Sequence, residues 1–283
     1  MKSFIANAIV AVLMLSGAAV AETINVPGDY PDVQDAIEAS SHGDLVLIAP
    51  GVYYGEINFY GKAIEVRGSL GSEGECLTVI DAQQVYTTVL FTNGEQNDSV
   101  LRQLIITGGG GVVNGGGIEC NGTSPSIIDC IITGNETQDA AGIYCRNGAS
   151  PLISNCVISN NVATGVGAGI GINLGSSPVI VDCTIEDNHA GSNGGGIWCF
   201  DNSSPTITGC VISGNISGQF GGGIYCGQNS SPTISGCYDI MNNQAADGGG
   251  LSAFGSSLQI ENCEFKSNVA TSDGGAMYLR DGG

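Results

Sequence analysis

Residues 177–199 read SPVIVDCTIEDNHAGSNGGGIWC, and they decide the fold because the same spacing returns along most of the chain. Pro178 is followed by Ile180, then Cys183, Ile185 and Asn188, and then by a glycine run ending in Gly196-Ile197. Ser-Pro pairs recur at Ser124-Pro125, Ser150-Pro151, Ser204-Pro205 and Ser231-Pro232, with Ser257-Leu258 as a degenerate copy. The steps between them are 26 or 27 residues. Behind each pair stands an isoleucine (Ile127, Ile153, Ile180, Ile207, Ile234, Ile260) and then a cysteine (Cys130, Cys156, Cys183, Cys210, Cys237, Cys263). An asparagine closes the unit at Asn135, Asn161, Asn188, Asn215 and Asn268, while the fifth copy carries one extra residue and places it at Asn243.

A unit of this length without helical periodicity cannot enclose its own apolar side, so it must stack on its neighbours. Three short strands fit each unit: Gly-Ile-x-Cys, Pro-x-Ile-x and Cys-x-Ile-x-x-Asn. Alternation puts Ile and Cys of the first strand on one face. The offset from Ile180 to Cys183 is odd, so both face inward only if the chain turns between them. Asp129, Asn155, Asp182, Gly209, Gly236 and Asn262 stand there and are turn formers. The expected architecture is all-β: a single-stranded right-handed parallel β-helix with three strands per coil, rising about 4.8 Å per turn. The asparagine column then reads as a buried amide ladder, with a ligand-binding row as the alternative.

Composition agrees. Of 283 residues 46 are glycine, well above the usual share of about 7%, as corners repeated in every coil require. There are 7 Lys+Arg against 27 Asp+Glu, a formal charge of -20. That acidity argues against nucleic acid or anionic lipid as the main partner.

Ahead of the repeats, Lys2, the apolar run from Phe4 to Leu15 and Ala19-Val20-Ala21 form a secretory signal pattern, with cleavage expected after Ala21. The mature chain is then secreted or displayed at the cell surface, with no transmembrane segment, and its cysteines mature under oxidising conditions. Residues 22–107 read as a cap and irregular first coils, and 108–283 as regular repeats. Val33, Ala36 and Ile37 have helical spacing after Pro31, which predicts a short capping helix over Pro31 to Ala39. Strands are expected over Leu45 to Ile48, Ile57 to Phe59, Ile64 to Val66, Val89 to Phe91 and Leu101 to Ile106. The chain stops at Gly283 within a unit, so a further segment, domain or subunit is expected over that end.

Two resemblances follow from these residues. The segment Val33-Gln34-Asp35-Ala36-Ile37, with Gly43-Asp44 and Gly51-Val52-Tyr53-Tyr54-Gly55-Glu56, resembles the opening of pectin-lyase-like right-handed β-helix proteins, shared by pectin methylesterases. The repeats are similar to those of polymorphic outer-membrane proteins. Phe265-Lys266-Ser267-Asn268 and Gly274-Gly275-Ala276-Met277 follow that signature most closely. The first resemblance implies the fold. The second implies a cell-surface, adhesin-like setting in an outer membrane.

No catalytic motif of those families is matched. The only Trp, Trp198, lies in Gly196-Ile197-Trp198-Cys199 rather than in a methylesterase segment. Inverting hydrolases need carboxylates about 6.5–9.5 Å apart. Asp129 and Asp182, two coils apart in one column, with Asp187 nearby, are the best candidates, although turn formation explains them better, since Asp alternates with Asn and Gly there. Asp139, Asp247 and Asp273 form an acidic edge where calcium is conceivable; no other cofactor is implied. His42 and His189 read as loop residues. The cysteines form the column above and a second one at Cys120, Cys145, Cys199 and Cys226, with Cys76 outside both. Within-coil disulfides and buried free thiols both remain open.

The expected function is a structural, adhesive or carbohydrate-contacting β-helix, with extracellular polysaccharide or host-surface components as partners. The alternative is a polysaccharide lyase or inverting glycoside hydrolase using turn carboxylates.

Overall fold

A computed structural model describes residues 20–280. The signal segment over 1–21 falls almost wholly outside the described residues. The described residues wind as a parallel β-solenoid with one helix among them, Val33–Ala39 (α1). Asp32 caps α1, its carboxylate accepting from the Gln34 N–H at 2.7 Å. Val33, Ala36 and Ile37 turn their apolar stripe onto the first coil, covering an edge that would otherwise offer unpaired backbone groups.

Every rung pairs in parallel with the next. Sheet 1, built from the Pro-x-Ile strands, has ten strands, from Thr23–Val26 to Gln259–Glu261. Sheet 2, from the Cys-x-Ile strands, has nine, and sheet 4, from the Ile-x-Cys strands, also has nine. Sheet 3 is an addition to the three expected strands. Six two-residue strands, from Glu136–Thr137 to Val269–Ala270, follow the asparagine column. Two residues are too few to show a period in sequence. Their inward positions are small (Thr137, Ala163, Ala190, Ala245), and Ala163 and Ala190 pack with Ala141 and Ala168 in a minor cluster.

The irregular early coils contain three strands the spacing did not reveal: Thr23–Val26, Gly51–Tyr54 and Thr78–Asp81. The single strand expected over Leu101 to Ile106 is two, Val100–Arg102 and Ile105–Thr107. Gln103 breaks it with φ +57°, and Leu104 takes the inward corner that cysteine fills later. The extra residue of the fifth copy is absorbed at exposed Tyr238, because Val211 pairs with Asp239 and the register recovers there.

The core consists of stacked aliphatic columns. Ile127, Ile153, Ile180, Ile207 and Ile234 are completely buried, as are Ile132, Ile158, Ile185, Ile212 and Ile240. Each such side chain contributes about 1.5–3 kcal/mol. The expected turn between sheets 1 and 2 is made by a left-handed backbone, with φ +55° at Asp129, +53° at Asn155 and Asp182, and +66° at Gly209. Asp, Asn and Gly tolerate that region, whereas β-branched residues do not. Before sheet 4 the glycine need is different: a Cβ on Gly196 would lie 2.6 Å from the Gly223 carbonyl oxygen of the next coil.

Candidate binding face

The asparagine column lies inside the solenoid. Asn135, Asn161, Asn188, Asn215 and Asn243 are fully buried. Asn188 Nδ2 donates to Asn215 Oδ1 at 3.0 Å and to the Ile158 carbonyl at 2.9 Å, and its Oδ1 accepts from the Asn161 backbone N–H at 3.1 Å and from Asn161 Nδ2 at 3.0 Å. Asn268 completes the row by accepting from Asn243. Each amide is thus saturated by its neighbours, leaving no group for a ligand.

The cysteines of the corner column also point inward. Cys130, Cys156, Cys183, Cys210 and Cys237 are buried, Cys263 is half-buried, and each thiol donates to the carbonyl two residues back, as Cys183 does to Val181 at 3.3 Å. All eleven cysteines are free thiols. Sulfurs neighbour one another up the columns: Cys156 lies beside Cys130 and Cys183, and Cys120 beside Cys145. Burial, reinforced by these sulfur neighbours, pushes the Cys120 and Cys156 thiols well up, so they stay protonated and inert.

The candidate carboxylates do not converge. Asp129 and Asp182 occupy equivalent corners separated by the Asn155 coil, and Asp129 sits 3.7 Å from the Arg102 guanidinium. Asp182 and Asp187 flank the two ends of the strand Thr184–Glu186, both with left-handed backbone. Asp139 Oδ1 accepts from the Val166 N–H at 2.9 Å, and Asp247 Oδ1 from the Asp273 N–H at 2.9 Å. Asp247 and Asp273 are therefore adjacent, while Asp139 lies coils away. No group of three or more His, Cys, Asp or Glu occurs among the described residues in a metal-binding arrangement. His189 is not a loop residue: it belongs to the strand His189–Ala190 of sheet 3 and faces out. His42 accepts from the Ala63 N–H at 3.0 Å through Nδ1, beside a cavity of about 420 Å³ at the cap that Asp44 and Glu65 also line.

The outer side of sheet 4 is chemically distinct. Its inward residues are Ile and Cys, so the intervening residue of each strand faces out. Register places Glu119, Tyr144, Gly171, Trp198, Tyr225, Ser252 and Tyr278 in one line. Trp198 stacks on Phe200, two residues on, with centroids 5.2 Å apart and planes at 16°. Phe220 enters from the preceding turn and meets Phe254 edge-on at 4.8 Å, and Phe254 meets Tyr278 at 5.7 Å. Tyr144 and Tyr225 are buried at the base of this layer, while Trp198, Phe200, Phe220, Phe254 and Tyr278 are half-exposed. Gly171 makes room for it: a Cβ there would lie 3.3 Å from the Tyr144 ring and 2.6 Å from the Ala140 methyl.

The N-terminal end of the line is charged. Arg146 pairs with Glu119 through Nη2 at 2.6 Å and Nε at 2.8 Å, and its guanidinium lies 5.8 Å from the Tyr144 ring centroid. Burial and the nearby Glu119 charge raise the Glu56 carboxyl above its usual value. The aromatic line had a readable signal, since an aromatic residue fills the third position of Gly-Ile-x-Cys at Tyr144, Trp198 and Tyr225.

The family described as "Right handed beta helix region" matches residues 89–218 and 116–283. The chain belongs to the right-handed β-helix family. No curated protein matches the sequence. Among solved structures, this β-helix is similar to a pectin methylesterase from Aspergillus niger (TM-score 0.50, 14% identity, 88% of this chain and 87% of that one). Pectate lyase Pel9A is also similar (TM-score 0.49, 16% identity, 88% of this chain and 79% of that one). At these identities the likeness to the methylesterase speaks to the fold alone. Among the described residues no helix is long and apolar enough to cross a membrane.

Proposed function

We propose that the protein is an exported β-helix scaffold that holds polysaccharide along the outer face of sheet 4 without cleaving it. The observation that carries this reading is the aromatic layer along the solenoid axis, half-exposed at Trp198, Phe200, Phe220, Phe254 and Tyr278. Nothing comparable occurs on the other long faces: the strands of sheets 1 and 2 between Ser126 and Met241 contain no aromatic residue. Sheet 1 presents Thr206, Thr208, Thr233 and Ser235 outward instead. Flat rings with partly free faces suit the C–H faces of pyranose sugars, because the electron-rich ring face attracts the positive edge of C–H bonds. A rigid row along parallel strands suits a polymer rather than a single sugar. The signal pattern read in the sequence supports an extracellular setting.

The corner carboxylates support a structural role. Asp129, Asp182 and Asp187 each hold a left-handed turn at a position where Asn or Gly serves in other coils.

Pull-down on insoluble glycans and affinity electrophoresis in glycan-containing gels test the proposal. Binding lost in Trp198→Ala with Phe200→Ala, and retained in Thr206→Ala with Thr208→Ala, is the expected result. Release of reducing or unsaturated ends that disappears in Asp182→Ala would overturn the non-catalytic reading.

A further inference from the structure

We infer that the aromatic face of sheet 4 selects uncharged glycan chains and rejects polyuronates, an inference that rests on the reading of this face as a glycan platform. The line from Tyr144 to Tyr278 crosses five rungs, about 24 Å at about 4.8 Å per rung. A ligand must therefore run over several sugar units to use it, and its charge accumulates along the whole contact.

Acidic residues stand beside the line. On the turn side, Asp139 lies five residues ahead of Tyr144, its carboxylate accepting from the Val166 N–H. Phe220 pairs with Asp247 by backbone bridging, and the Asp247 carboxylate is bound to the Asp273 backbone. On the other side, Asp201 follows Phe200. The basic groups in register with the face are Arg146 and Arg280, and Arg146 already has Glu119 as a close ion-pair partner. The chain as a whole carries a formal charge of -20, which adds a long-range field of the same sign.

A polyuronate presents one carboxylate per sugar. Laid along this line, it would set like charges side by side, with few cations to offset them, and like-charge juxtaposition is an effective means of excluding a partner. An uncharged glycan meets the same rim differently. Its hydroxyls are donors, and carboxylates accept strong hydrogen bonds from them. The stacking rings and the acidic rim then act together on a neutral chain and in opposition on an anionic one.

The test uses the full chain. Trp198 is the only tryptophan and lies within the face, so its fluorescence reports ligand directly. Titrations with soluble xylan and hydroxyethylcellulose are compared with polygalacturonate and alginate at low ionic strength with chelator present. The uncharged polymers should bind at least about tenfold more tightly, and the gap should narrow as salt screens the rim. Asp139→Asn with Asp201→Asn and Asp247→Asn keeps the turn-forming oxygens. It should weaken uncharged-glycan binding a few-fold, through loss of the charge-assisted hydrogen bonds, while raising polyuronate affinity by about tenfold, through loss of the repulsion. Equal or tighter polyuronate binding at low salt, or a preference the triple variant does not move, overturns the inference while leaving the glycan platform standing. Binding of none of these polymers overturns the platform and the inference with it.

Discussion

Replacing Asn188 with alanine should be among the most damaging single changes in the solenoid. Its side chain donates to the Ile158 carbonyl and Asn215 Oδ1 and accepts from the backbone and side-chain amides of Asn161. Alanine leaves the backbone N–H of residue 188 bound to Asn215 Oδ1, so Asn215 keeps a partner. The Asn161 backbone N–H and one Asn161 amide hydrogen lose theirs within a fully buried column, while the Ile158 carbonyl keeps its place in the parallel ladder. Two buried donors at about 1–3 kcal/mol each give a loss of about 2–6 kcal/mol. That is a large part of the roughly 5–15 kcal/mol typical of a folded domain. Asn188→Asp should behave differently. It keeps an acceptor but sets a charge against two acceptor oxygens, so the new carboxyl has a raised pKa in the folded state. The penalty therefore grows as pH rises through the ordinary carboxylate range and shrinks on acidification. Urea unfolding followed by far-ultraviolet circular dichroism and Trp198 fluorescence measures both variants. A loss below about 1 kcal/mol for Asn188→Ala, or a penalty for Asn188→Asp that does not shrink on acidification, would refute the ladder as a structural element.

Two further outcomes follow from the cap and the thiols. The backbone amides of Glu22 and Ser41 hold the Asp44 carboxyl below its usual value, so its stabilisation is complete near neutral pH and is lost as pH falls through that lowered value. Asp44→Asn should flatten the acid limb of a pH–stability curve, and an unchanged limb would count against this tie between the first strand and the cap. All eleven thiols should titrate in denaturant without reductant, with Cys76 and Cys263 reacting first in the native protein because they alone are not buried; a denatured count below eleven would reveal bridges.

The fold was legible because the core repeats the same demand in every coil. The odd step from Ile180 to Cys183 required a turn, and Asp182 has the left-handed backbone that supplies it. Val33, Ala36 and Ile37 marked the cap for the same reason: burial restricts the residue types allowed there. Where the demand is weak, the pattern fades. The two-residue strands of sheet 3 bury only small side chains, and early strands such as Thr78–Asp81 are separated by excursions that break the period.

The proposed binding face was less visible because the core places no restriction on residues that point away from it. Tyr144, Trp198 and Tyr225 occupy the free position of Ile-x-Cys, where Gly171 and Ser252 serve other coils equally well for folding. Read one strand at a time, such a position carries no signal. The period converts it into one, because residues one coil apart are neighbours in a solenoid: Tyr144 stands in register with Glu119, and Arg146, two residues further on, reaches the Glu119 carboxylate at 2.6 Å. The informative outward positions are those where that one-period offset yields a chemical relation that stacking does not require. An ion pair beside a row of rings meets that condition. The alternation of Asp129, Asn155, Asp182 and Gly209 does not, since every member makes the same turn. The proposed reading therefore gives the corner carboxylates to the scaffold and the aromatic line to glycan contact.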